Sequence, residues 1–237
     1  MATSSTATFD LDLNEIVEEA FERAGSEMRS GYDLKTARRS LNLLFAEWAN
    51  RGINLWTIEQ GTQTLTADTA SYDLPVTTVD LIEQVIRTGS GTTQNDQYLS
   101  RISVSDYAAI PNKNTTGKPT LVYIDRNSGA TNSSSVVQYP TVTLWPIPDS
   151  VETYTLVYWR LARILDAGNG VNTMDVPFRF LPALVAGLAY HLALKIPQSV
   201  ERIPTLKAMY DEAWMLASDE DRDKTSMYMK PRVYHVN

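Results

Sequence analysis

The segment Leu44-Phe45-Ala46-Glu47-Trp48-Ala49-Asn50-Arg51-Gly52-Ile53-Asn54-Leu55-Trp56 is where the texture of this chain changes. Upstream of it, Leu34, Ala37, Leu41, Leu44, Phe45 and Trp48 recur at three- and four-residue intervals, which predicts the buried stripe of a helix from about Asp33 to Arg51. Gly52 supplies the left-handed residue that closes such a helix. Downstream the helical period is lost. From Ile53 to about Asp175, short runs rich in Val, Ile, Thr, Tyr and Trp alternate with polar turn clusters, as in an antiparallel β region.

Toward the N-terminus, Leu13, Ile16, Val17, Ala20, Phe21 and Ala24 share one helical face, Asp12 and Glu15 have capping-box spacing, and Gly25 is a stop. A short Gly-containing link to the next helix predicts an antiparallel hairpin. Met1 to Thr8 lack both the basic and the apolar region of a secretory signal and read as a flexible terminus. Within the β region the expected strands are Leu55 to Glu59, Thr62 to Thr66, Leu81 to Arg87, Tyr98 to Val104, Leu121 to Asp125, Val136 to Trp145 and Tyr154 to Leu161. Ser105 to Ile110 reads as a short helix capped by Ser103 or Ser105. The segments Thr88 to Gln97, Asn112 to Lys118 and Asn127 to Ser135 are too polar to be anything but surface.

After Pro177, apolar residues from Leu181 to Ala193 cover most of a helix circumference, so this helix belongs at the centre of a bundle. A last helix, Ser199 to Asp221, presents Ile203, Leu206, Met209, Tyr210, Ala213, Trp214 and Ala217, and its acidic end, Asp219 to Asp223, opposes the helix dipole and predicts fraying or a break there. The expected architecture is α+β. A four-helix bundle forms from the N- and C-terminal helix pairs, with an inserted antiparallel β-sandwich-like domain and an extended C-terminal arm. The expected boundaries are 1–9 for a flexible N-terminus, 10–52 and 176–222 for the bundle, 53–175 for the insertion and 223–237 for the arm.

That arm has no helical period yet carries Met227, Tyr228, Met229, Val233 and Tyr234. It reads either as a terminal strand folded back on its own chain or as an arm that docks on a partner through aromatics and Arg232. Charge favours the docking arm: the residues from Asp223 onward sum to +2, those before them to −9. Chemistry is hard to find. There is no cysteine, and His191 and His235 are the only histidines, which removes thiolate catalysis and Cys or His metal sites. The net charge of −7 argues against a surface that grips nucleic acid throughout. Asp10 with Asp12, and Glu18 with Glu19, read as helix N-terminal charge and a solvated face. Gly168-Asn169-Gly170 is a turn, His191 a core or interface histidine, and no nucleophile elbow, phosphate loop, zinc helix or dinucleotide fingerprint occurs. Arg38 and Arg39, near Lys35 and Arg51, could meet an acidic neighbour or DNA phosphates. Phe178 to Ile196 has membrane-span length, but Arg179, Pro182, His191 and Lys195 make it a buried helix, so no membrane is expected. No cofactor and no enzymatic activity are expected either.

Leu44 to Trp56, together with Thr64-Leu65, Tyr72-Asp73-Leu74-Pro75, Leu144-Trp145-Pro146-Ile147-Pro148-Asp149 ahead of Tyr154 to Arg160, and Pro177-Phe178, resembles the head-to-tail adaptors (head completion or tail tubular proteins) of short-tailed bacteriophages. The resemblance implies a structural virion protein at the head–tail junction, assembled in the host cytoplasm. It would form a ring, usually a dodecamer, between portal and tail nozzle, and pass double-stranded DNA through its lumen. It further implies that the arm, with Met227, Tyr228, Met229, Arg232, Val233 and Tyr234, docks on the portal, and that the first two helices, with Arg38, Arg39 and Trp48, meet the adjacent subunit. The alternative from another class is a receptor- or glycan-binding β-sandwich on a helical oligomerisation stem, with Trp145 or Trp159 in the binding face.

Overall fold

The computed structural model describes residues 5–52, 55–127, 129–131 and 135–222. In chain order its elements are α1 (Leu13–Ala24), α2 (Gly31–Asn50), β1 (Ile58–Thr64), β2 (Ser71–Asp73), β3 (Thr78–Thr88), β4 (Asn95–Tyr98), β5 (Ser100–Arg101), α3 (Val104–Ala109), β6 (Leu121–Asp125), β7 (Thr141–Trp145), β8 (Thr155–Ala162), α4 (Leu181–Ala193) and α5 (Ile203–Glu220). The fold is therefore α+β, with five α-helices and two sheets among the described residues. It divides into two compact units, one formed by the residues up to Leu44 and from Ala167 on, the other by Phe45–Asp166.

In the first unit α1 and α5 both pack against α4, and α2 reaches α4 where Leu44 lies beside Gly187. Ten of the residues of α4 are buried, as its near-uniform apolar sequence requires. The local signals at α1 operate as read: the Asp12 carboxylate accepts from the Glu15 amide at 2.9 Å, Glu15 accepts from the Asp12 amide at 3.0 Å, and Gly25 takes a left-handed φ of 80°. Distant segments finish the job. The amides of Leu13 and Asn14 donate to the Asn172 and Gly170 carbonyls, while the Ala24 and Arg23 carbonyls accept from Ser199 Oγ and the Arg202 guanidinium. Groups that every helix end leaves orphaned are thus paired by the Gly168–Thr173 turn and by the 3-10 segment Pro197–Arg202.

In the second unit one sheet has the order β1-β8-β3-β4 and is antiparallel throughout; the other, β2-β7-β6-β5, is antiparallel except where β5 runs parallel to β6. Leu81, Ile86, Leu156 and Tyr158 from the first sheet share one core cluster with Val122, Ile124, Val142 and Leu144 from the second. Each such side chain, fully buried, contributes about 1.5–3 kcal/mol.

Several expectations need correction. The two strands expected at Leu55 to Glu59 and Thr62 to Thr66 are a 3-10 turn at Leu55–Thr57 followed by the single strand β1. Gly61 does not break it, because the missing side chain makes room for the Tyr158 ring on the neighbouring strand. The strand expected from Tyr98 to Val104 splits: β4 ends at Tyr98 in one sheet and β5 lies in the other, with Val104 already opening α3 behind its Ser103 cap. Val136 to Trp145 shortens to β7 because Pro140, which has no amide to donate, precedes it. The predicted last helix starts as the 3-10 segment and becomes α-helical only at Ile203, with Pro204 in the first turn. The helix breaks after Glu220, inside the acidic cluster where a break was expected, but its end is not frayed: Asp221 is 7% exposed and ion-paired with Arg179, and Asp219 pairs with Arg222.

Candidate functional site

The face of α1 opposite its buried stripe carries Glu15, Glu18, Glu19 and Glu22, spaced so that all four project from adjacent turns. Beside it, the start of α4 leaves Phe178 70% exposed, and the approach to α1 leaves Phe9 66% exposed. Together they enclose a groove of about 580 Å³ whose floor includes Leu11, Leu181, Pro182 and Val185. Two arginines reach it, and each is already held by a carboxylate: Arg23 by Glu19 at 2.7 Å, and Arg179 by Asp221 at the end of α5. The groove is apolar within and acidic along one edge, and Glu18 and Glu22 have no ion-pair partner among the described residues.

A second region lies on α2. Arg38 and Arg39 are exposed, as a contact role requires, and Arg38 lines a smaller cavity of about 280 Å³ with Lys35, Leu13 and the Gly168–Gly170 turn. Lys195 donates to Ser40 Oγ at 2.6 Å, and its ammonium is held below the usual lysine range, first by burial and then by the charge of Arg39. Trp48 is different. It is 0% exposed and meets Phe45 edge-on at 6.2 Å, so it offers no side-chain surface to a neighbour. The docking residues Met227, Tyr228, Met229, Arg232, Val233 and Tyr234 lie outside the described residues.

Among the described residues no group of three or more Asp, Glu or His could hold a metal ion. His191 is half-buried and edge-on to Tyr190 at 5.6 Å, at the packing position its helix predicts. Trp145 and Trp159 lie half-buried on β7 and β8, in different sheets, and the Trp145 indole donates to the Asn112 carbonyl at 3.1 Å.

The groove escaped the sequence reading for a definable reason. Of its glutamates, Glu18 and Glu19 were legible as a solvated helix face, but Phe9 and Phe178 stand outside any helical period, and only the fold brings them to that face. A family profile described as SU10 adaptor protein matches residues 11–233, nearly the whole chain. The chain belongs to the SU10 adaptor family. A search of curated proteins returned no match. Membership bears out the resemblance to phage head-to-tail adaptors drawn from Leu44 to Trp56 and its companion phrases, and it gives this adaptor a structural role in the virion, in contact with other virion components. No described helix is long and apolar enough to cross a membrane.

Proposed function

We propose that this adaptor forms a ring, a dodecamer by the family resemblance, that joins the portal to the tail nozzle and lines the passage of double-stranded DNA. The observation that carries the reading is the family match over 11–233 on a chain whose charge is divided between an acidic body and a basic end. An acidic wall repels phosphates and lets the genome slide, whereas a basic one would hold it by counterion release. In this reading residues 10–52 and 176–222 form a four-helix bundle, 53–175 an inserted sandwich facing outward or toward the tail, and 223–237 the arm that docks on the portal. Ring closure needs two different complementary faces on each subunit. Met209, Met215 and Leu216, all exposed on α5, together with Arg38 and Arg39 on α2, are surface suited to that purpose. The buried Trp48 is not part of it.

The test is the mass of the purified adaptor alone and with its portal, with and without residues 227–237. The full chain should join the portal in a cyclic complex. The truncated chain should keep its circular dichroism spectrum and lose attachment. An adaptor that stays monomeric and never binds portal overturns the reading, and attachment that survives truncation removes the arm from it.

A further inference from the structure

The groove between α1 and the start of α4 is an apolar surface with no side chain of the described residues over it, and its chemistry selects one occupant. We propose that in the free subunit this groove holds the C-terminal segment of the same chain, residues 224–237. The first argument is position. Asp221, which caps α5, is paired with Arg179, and Arg179 is itself part of the groove wall, so the chain leaves α5 at the groove's edge. Met227 follows Arg222 by five residues, a reach of about 17 Å when extended. The acidic edge from Glu15 to Glu22 is only about 10 Å long.

The second argument is complementarity. Lys224, Lys230 and Arg232 match an edge on which Glu18 and Glu22 have no ion-pair partner among the described residues. Met227, Tyr228, Met229, Val233 and Tyr234 match the exposed rings of Phe9 and Phe178. The groove's own arginines are each paired with a carboxylate, Arg23 with Glu19 and Arg179 with Asp221, which offsets their repulsion of a basic segment. The third argument selects the same chain over a second copy: so short a tether gives the segment an effective concentration in the millimolar range, which a free neighbour in dilute solution does not reach. This inference goes beyond the ring reading and does not require it. If both hold, the same side chains serve groove and portal, and portal capture is an exchange of one site for the other.

The experiment uses the full chain with Tyr228→p-benzoylphenylalanine, irradiated in dilute solution, with crosslinked peptides assigned by mass spectrometry. The expected result is a crosslink within the monomer to residues 9–23 or 178–185. Glu18→Lys combined with Glu22→Lys, both exposed and neutral to the fold by circular dichroism, should weaken it about fivefold or more, the scale of two lost exposed ion pairs. Crosslinks to any other region, crosslinks confined to a dimer band, no crosslink at all, or a yield untouched by the charge reversal each overturn the proposal. Portal binding is read on the same samples, so a failed fold-back with intact portal attachment counts against this inference alone.

Discussion

Replacing Gly187 with alanine tests how the first unit is held together. The new methyl would stand 2.9 Å from Tyr210 Cε2 and 3.0 and 3.1 Å from the two Leu44 methyl carbons, closer than ordinary van der Waals contact. Two effects then oppose each other. Alanine is favoured over glycine within a helix by about 1 kcal/mol. Overfilling a packed site costs about 1–3 kcal/mol, and this site has little room to relax, because Leu44 is 0% exposed, Tyr210 is 2% exposed, and the Tyr210 ring is stacked on Tyr190. The crowding should win, leaving Gly187→Ala destabilised by ~0.5–2 kcal/mol. Leu44→Ala alone opens a cavity and costs ~2–5 kcal/mol. In the double variant the alanine methyl occupies part of that cavity, so the combined loss should fall short of the sum by about 1 kcal/mol. Urea unfolding followed by far-UV circular dichroism measures all three, with the helical signal reporting on the first unit, since the two units need not unfold together. If Gly187→Ala gains the full ~1 kcal/mol of helix preference and adds simply to Leu44→Ala, then α2, α4 and α5 do not close on this glycine and the packing argument is wrong.

Two predictions concern the second unit. Tyr154 is 4% exposed and donates to the Asp149 carboxylate at 2.9 Å, and burial followed by that carboxylate pushes its phenol up to about 12. A folded-state pKa above the unfolded value near 10 means that its contribution is intact below about pH 10 and drains away as the pH rises toward about 12. Tyr154→Phe should therefore flatten the alkaline loss of stability in that window by up to ~2–3 kcal/mol, and melting curves of equal slope in both proteins would refute it. Gly61→Val would set a side chain 2.4 Å from Cζ of Tyr158, its cross-strand partner, and should cost ~1–3 kcal/mol in thermal unfolding; an unchanged melting temperature would show that the ring does not need that space.

The helices were legible because their determinants are local. The apolar period, the Asp12 and Glu15 pair and Gly25 set the bounds of α1, and the uniform apolarity of α4 announced its burial. Strands were less legible where sheet membership mattered. Nothing around Tyr98 to Arg101 says that the chain changes sheets after Tyr98, because that depends on which strands, far away in sequence, offer an edge. The short β2 was missed for the same reason: three residues carry too little alternation to register, and pairing with β7 is what defines them. Of the candidate site, Arg38 and Arg39 were correctly read as exposed, and the helical period correctly put Trp48 in the buried stripe; the contact role that the resemblance gave Trp48 does not suit a side chain 0% exposed.

By itself the sequence determined that this adaptor is α+β, that it carries no cysteine and none of the familiar catalytic motifs, and that its charge is split between an acidic body and a basic end. Only the tertiary structure decided that Gly61 is the middle of a strand, that Asp221 is held by Arg179 where acidic crowding alone predicted fraying or a break, and that Phe9 and Phe178 line one groove beside a row of glutamates. The physical reason is common to all three. A residue's own neighbours along the chain fix its backbone preference and its face, but a ring resting on a glycine, a carboxylate buried against a guanidinium and two phenyl groups lining one groove bring together segments about forty to about 170 residues apart, and their energies exist only once the chain has closed.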